Sequence, residues 1–167
     1  MDQPSLLDFG FLLLRFLGML LVLHLFIKLS RPYFVPAFLN RFSVKYNKAM
    51  GSFKQDLLKD LTSLREKPPG KEASVNSEAP PSLTLMEIGV GTGANFKYYP
   101  EGTMVIAIEP NKNFAGYLEK NVAEYSPRVR LQRTVVAFAE DLRGHVDDCS
   151  VDAVVSTLVL CSVQDTD

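Results

Sequence analysis

The chain has 167 residues and a formal net charge of −1, which leaves room for one ordinary domain plus an appendage and excludes bulk electrostatic attraction to nucleic acid. Its two cysteines, Cys149 and Cys161, lie far from any Cys/His cluster. They offer neither a disulfide framework nor a metal site, so the domain reads as facing a reducing compartment.

Residues Phe9 to Ile27 form an apolar run of nineteen residues bounded by Asp8 and Lys28. As a helix it would be roughly 28 Å long, about one bilayer core. Arg15 and His24 interrupt it nine positions apart, on opposite helix faces, so a helix lying flat on a membrane is disfavoured. The start is acidic (Asp2, Asp8) rather than basic, which argues for an uncleaved anchor over a secretory signal. Pro32 and Pro36 are expected to end the helix, and a hairpin-like insertion stays open beside a full span. From Lys28 to Lys48 there are five basic residues and no acidic one, which predicts that the chain beyond the anchor faces the cytosol.

Tyr46, Met50, Phe53, Leu57, Leu61 and Leu64 recur at helical spacing and predict an amphipathic helix that packs on the next domain or on a bilayer surface. Arg65 to Ser82, with four prolines, reads as a linker. The domain reading is therefore an anchor over 1–30, a basic helical segment over 31–64, a linker over 65–82 and a domain over 83–167. Within the last, strands are predicted at Leu83 to Ile88, Met104 to Ile108, Val129 to Val136 and Val151 to Cys161. A helical face of Phe114, Tyr117, Leu118 and Val122 separates the second and third. Strand–helix alternation with apolar strands indicates an α/β fold with a parallel, doubly wound sheet.

Glu87-Ile88-Gly89-Val90-Gly91-Thr92-Gly93 stands where the first strand should turn into a helix. Its glycines permit positive φ and close approach of backbone N–H groups to a ligand. Glu109 lies twenty residues after Gly89, at the end of the second strand, where a carboxylate accepts both hydroxyls of a ribose. Gly89-x-Gly91-x-x-Ala94 also fits a dinucleotide fingerprint, so a nicotinamide-dependent oxidoreductase is one alternative. The acid two residues before the first glycine, the Gly-x-Gly-x-Gly spacing and the segment Phe138-Ala139-Glu140-Asp141-Leu142 after the third strand instead resemble class I methyltransferases. Glu87 would organise the loop near a ligand's ammonium group. His145, Cys161 and Asp152 read as surface, core and structural residues, and no catalytic base is assigned.

The apolar anchor, the basic stretch, EIGVGTGANFKYYP, AIEPNKNF, VVAFAEDL and DAVVSTLVLCSVQ together resemble the methyltransferase-like protein 7 family, membrane-bound thiol S-methyltransferases of endoplasmic reticulum and lipid droplets. Gly91 to Pro100 and Thr157 to Val163 carry the most specific part of the likeness. It implies a Rossmann-like methyltransferase sheet, of which this chain holds the N-terminal half. It also implies S-adenosylmethionine as cofactor, a small thiol substrate, contact with membrane lipid and no nucleic acid. Cofactor contacts are expected from Glu87, Gly89, Gly91, Gly93, Glu109, Pro110, Asn111, Phe138, Ala139, Glu140 and Thr157, with no metal. Arg65 to Ser82 is longer than the family pattern, and the chain stops at Asp167, just past the fourth strand. An incomplete domain is therefore expected, with Val154, Val155 and Leu158 as an apolar edge, weak or no cofactor binding and no methyl transfer of its own. An inactive membrane-targeted fragment is the second alternative.

Overall fold

A computed structural model describes residues 6–66, 82–159 and 162–163. The elements are α1 (Leu6–Ala49), α2 (Gly51–Leu58), α3 (Leu61–Glu66), β1 (Leu83–Ile88), β2 (Thr103–Ile108), α4 (Ala115–Ala123), β3 (Val129–Val135) and β4 (Ala153–Ser156). The chain divides into two compact units, Met1–Val35 and Pro36–Asp167. Most of the linker segment and Cys161 lie outside the described residues.

The described residues of the first unit are helical, and among them the apolar side chains cover no core. Leu14 is 67% exposed, Val22 67% and Phe26 66%, so the apolar surface runs around the helix rather than along one stripe. By length and composition the helical stretch Gly10–Ala49 is suited to crossing a membrane. Pro32 and Pro36, expected to end the helix, instead lie inside it. Each lacks the N–H that would bond the carbonyl four residues back. Spaced four apart, they remove donors on one side only, and the remaining ladder carries the helix on to Ala49.

In the second unit the strands form one four-stranded parallel sheet in the order β3-β2-β1-β4. β1, inside the sheet, is buried at four of its six residues and half-buried at the other two, as befits a strand covered on both faces. Alternation sends Leu83 and Leu85 to one face, with Val105, Phe96, Tyr99 and Leu118. Met86 goes to the other, with Ile106, Ile108 and Val135. The helices before the sheet close the first face through Leu58 and Leu61. The expected amphipathic helix is thus broken into α2 and α3, and its buried line runs through Lys54, Leu58 and Leu61, while Phe53 and Leu57 face outward.

The edge strands differ from their sequence reading. β3 exposes Arg130, Gln132, Arg133 and Thr134, a polar edge that blunts further pairing. β4 is shorter than expected, and Val155 enters the core rather than lining an apolar edge, leaving Val154 and Leu158 exposed. After the glycine loop the chain makes a 3-10 turn, Phe96–Tyr98, in place of the expected helix. Only a short connection separates the loop from β2, and Asn95 and Tyr99 within it turn inward, so no regular helix forms.

Candidate functional site

Strand alternation decides where the acid at the end of β1 goes. Glu87 follows Leu83 and Leu85 onto the face that holds Phe96 and Tyr99, and it is buried. Side chains satisfy its carboxylate. Tyr99 OH donates to Oε2 at 2.7 Å and Asn95 Nδ2 donates to Oε1 at 2.7 Å. Asn95 Nδ2 also donates to Thr157 Oγ1, just past β4, at 2.8 Å, and Asn95 Oδ1 accepts from Lys54 Nζ at 2.8 Å. Burial pushes Glu87 up to about 7, against the opposing hydrogen bonds from Tyr99 and Asn95 and the charge of Lys54. Burial likewise lowers Lys54, with the Glu87 charge resisting, and raises Tyr99 so that its phenol stays a donor.

Glu109, at the end of β2, is held differently. Its Oε2 accepts from Gly91 N at 3.1 Å and its Oε1 from Asn111 N at 3.0 Å. Burial raises its pKa, and the bonds from Asn111 and Gly91 oppose that rise. Two N–H donors occupy about half of a carboxylate's acceptor capacity. Asn111 Oδ1 in turn accepts from Asn113 N at 3.1 Å, fixing the turn into α4.

The glycine loop runs with φ of +63° at Gly89, +53° at Gly91 and +76° at Gly93. At Gly93 a Cβ would stand 2.6 Å from the Phe96 ring, and at Gly89 it would collide with Val159. Only glycine fits these positions, and the space they leave is taken by the loop's own supports. At Gly91 a Cβ would make only ordinary contact, 3.8 Å from the Phe114 ring, so the loop is less tightly packed at its middle, where the Gly91 N–H donates to Glu109.

Gly89, Pro110, Phe138, Ala139 and Glu140 come together with Val159 around an apolar cleft of ≈ 50 Å³. That is well under the roughly 300–1,000 Å³ of a whole ligand pocket, so it is a slot for one part of a ligand. Gly91, Glu109 and Asn111 are joined by hydrogen bonds on either side of Pro110, which lines the cleft. Glu87, Gly93 and Thr157 lie behind the loop, where they meet Asn95, Tyr99 and Phe96 rather than the cleft. The fit to a nucleoside-bearing cofactor rests on the positive-φ glycine loop beside a buried carboxylate with acceptor capacity.

His145 and Cys149 are exposed. Asp152 holds the start of β4 to β1: its Oδ2 accepts from Thr84 N at 2.8 Å, and its own N donates to Thr84 O at 2.8 Å. Four residues of the site escaped the sequence reading: Lys54, Asn95, Tyr99 and Val159. Asn95 and Tyr99 sit inside the Gly91 to Pro100 motif and were legible as pattern without a role. Lys54 had no local signal, being one charge on an amphipathic helix.

Residues 86–167 match a family described as a methyltransferase domain. The chain is 46% identical over 129 residues to thiol S-methyltransferase TMT1A of Homo sapiens, covering 77% of this chain and 47% of that protein. It is 37% identical over 160 residues to thiol S-methyltransferase TMT1B of Mus musculus, covering 92% and 59%. With TMT1B of Homo sapiens it shares 38% over 136 residues, covering 81% and 50%. The chain spans about half the length of the curated relatives it matches.

Proposed function

We propose, since the chain belongs to the methyltransferase-like protein 7 family, that residues 83 onward bind S-adenosylmethionine and serve methyl transfer to small hydrophobic thiols. The observation that carries this reading is the pairing of Glu109 with Gly91 N at 3.1 Å, which sets a buried carboxylate against the glycine loop. Glu109 would accept from ribose hydroxyls, and the loop's backbone would approach the rest of the cofactor closely. The slot framed by Phe138, Ala139 and Pro110 would take the adenine edge. When bound, S-adenosylmethionine supplies a methyl group made electrophilic by its sulfonium. For a thiol acceptor the thiolate is the reactive form. Alignment then matters more than an acid–base pair, and the chain's part is to bind and orient.

The same reading puts an anchor over residues 1–30 and a basic segment over 31–64, with the domain on the cytosolic side of the endoplasmic reticulum or of a lipid droplet. The exposed apolar helix and the five basic residues from Lys28 to Lys48 support it. Residues 1–48 fused to a fluorescent protein are expected to resist high-salt extraction; release by salt alone would overturn the anchor. Calorimetry on the chain in detergent micelles tests the cofactor. S-adenosylhomocysteine is expected to bind and NAD not, and the reverse would overturn the methyltransferase reading.

A further inference from the structure

We infer that Lys54 is a positioning residue for the cofactor crevice: its ammonium holds the Asn95 amide in one orientation and, through that amide, ties the end of β1 to the end of β4. As far as the cofactor is concerned, this rests on the methyltransferase reading above.

Lys54 reaches the site because α2 docks by one face. It lies four residues before Leu58, and both are buried. Its Nζ donates to Asn47 Oδ1 at 3.0 Å and to Asn95 Oδ1 at 2.8 Å, and stands 5.1 Å from the centre of the Tyr46 ring. An ammonium only donates, so it can meet only the oxygen end of an amide. Glu87, accepting from Nδ2, holds the other end. A reversed Asn95 would set oxygen against carboxylate and NH2 against ammonium. Thr157, a hydroxyl able to serve either end, takes its place from this arrangement and accepts from Nδ2 at 2.8 Å. Asn95 is 1% exposed, so no bulk water substitutes for a lost partner.

The location gives the bond its consequence. In the order β3-β2-β1-β4 the chain steps from β1 to β2 on one side and later returns to β4 on the other. The crevice at such a switch point is where open α/β sheets bind ligands. Glu87 is the last residue but one of the strand on one side of that crevice and Thr157 comes just after the strand on the other, with Asn95 bonded to both. Two residues beyond Thr157, Val159 packs on Gly89. A loosened Asn95 would therefore free the wall of the crevice and the first glycine together.

The test uses the full chain in detergent micelles, with a readout that needs no ligand. The side-chain amide signals of Asn95, identified by their loss in Asn95→Ala, are expected to shift or broaden strongly in Lys54→Met. Affinity for S-adenosylhomocysteine is expected to fall at least tenfold in Lys54→Met and in Asn95→Ala, and the double variant to bind within about twofold of Asn95→Ala. Unchanged Asn95 signals in Lys54→Met would overturn the assignment, as would affinity losses that multiply in the double variant. A wild-type chain that fails to bind S-adenosylhomocysteine while the Asn95 signals still respond to Lys54→Met would support the Lys54–Asn95 tie and count against the methyltransferase reading.

Discussion

The ends of β1 and β2 carry an acid each, Glu87 and Glu109, and the two are managed in opposite ways. Both are buried and both have raised pKa values for that reason. Glu87 is closed in by side chains, Tyr99 and Asn95 directly and Lys54 beyond them. Glu109 is met by backbone N–H groups of Gly91 and Asn111. Each accepts two hydrogen bonds, but Glu87, 2% exposed, is closed in by side chains on the core face and fastens the loop's shape. Glu109, bonded to backbone N–H groups where β2 ends, accepts one hydrogen bond on each oxygen and keeps the rest of its acceptor capacity. The groups that meet each carboxylate, rather than residue type, separate the two.

The comparison breaks first, if it is wrong, at Glu87. Glu87→Ala leaves Tyr99 without an acceptor, Asn95 with Thr157 alone and Lys54 without its counter-charge, which is expected to cost roughly 3–5 kcal/mol of stability in denaturant unfolding. A loss under about 1 kcal/mol would mean that Glu87 fastens nothing. The acid also predicts a pH dependence. Its pKa rises from 4.5 in the open chain to about 7 when folded, so the folded state holds this proton more tightly. Its contribution to stability is then full below about pH 4.5 and falls as pH rises through about 7, by up to roughly 3 kcal/mol. Unfolding midpoints measured across that range should lose this slope in Glu87→Gln.

Glu109→Ala sharpens the other half. The unfolding midpoint is expected to move less than in Glu87→Ala, while affinity for S-adenosylhomocysteine falls by about 1.5–3 kcal/mol, at least tenfold by calorimetry. Equal affinity in wild type and variant would remove Glu109 from the site. Asp152→Ala, which removes one bond to Thr84 N, is expected to cost only about 1 kcal/mol and to leave affinity unchanged. An affinity loss there would show that β4 is held more weakly than its pairing with β1 implies.

Legibility in the sequence divides along the same line. β1 falls at Leu83–Ile88 as expected, and β2 and β3 within a residue, because short apolar runs between turn residues determine buried strands locally. The glycine loop and the strand-end acid were legible for the same reason, since φ signs and strand position are properties of near neighbours. The Glu87 network was not. It joins residues 54, 87, 95, 99 and 157, and no local pattern announces a pairing across such separations. The helix passing through Pro32 and Pro36 was missed because the rule for isolated prolines ignores how much ladder remains on the other face.

Glu109 takes one hydrogen bond from each of two connections, Gly91 in the loop after β1 and Asn111 in the turn after β2. Those amides can meet exchange-competent water only when the carboxylate lets go. Deuterium uptake at the two sites therefore tracks shared openings, as one cooperative unit rather than as two separately fraying turns. Any molecule that occupies the rest of the carboxylate's acceptor capacity slows both together, so that paired slowing signals occupancy of the crevice even where the occupant is unknown.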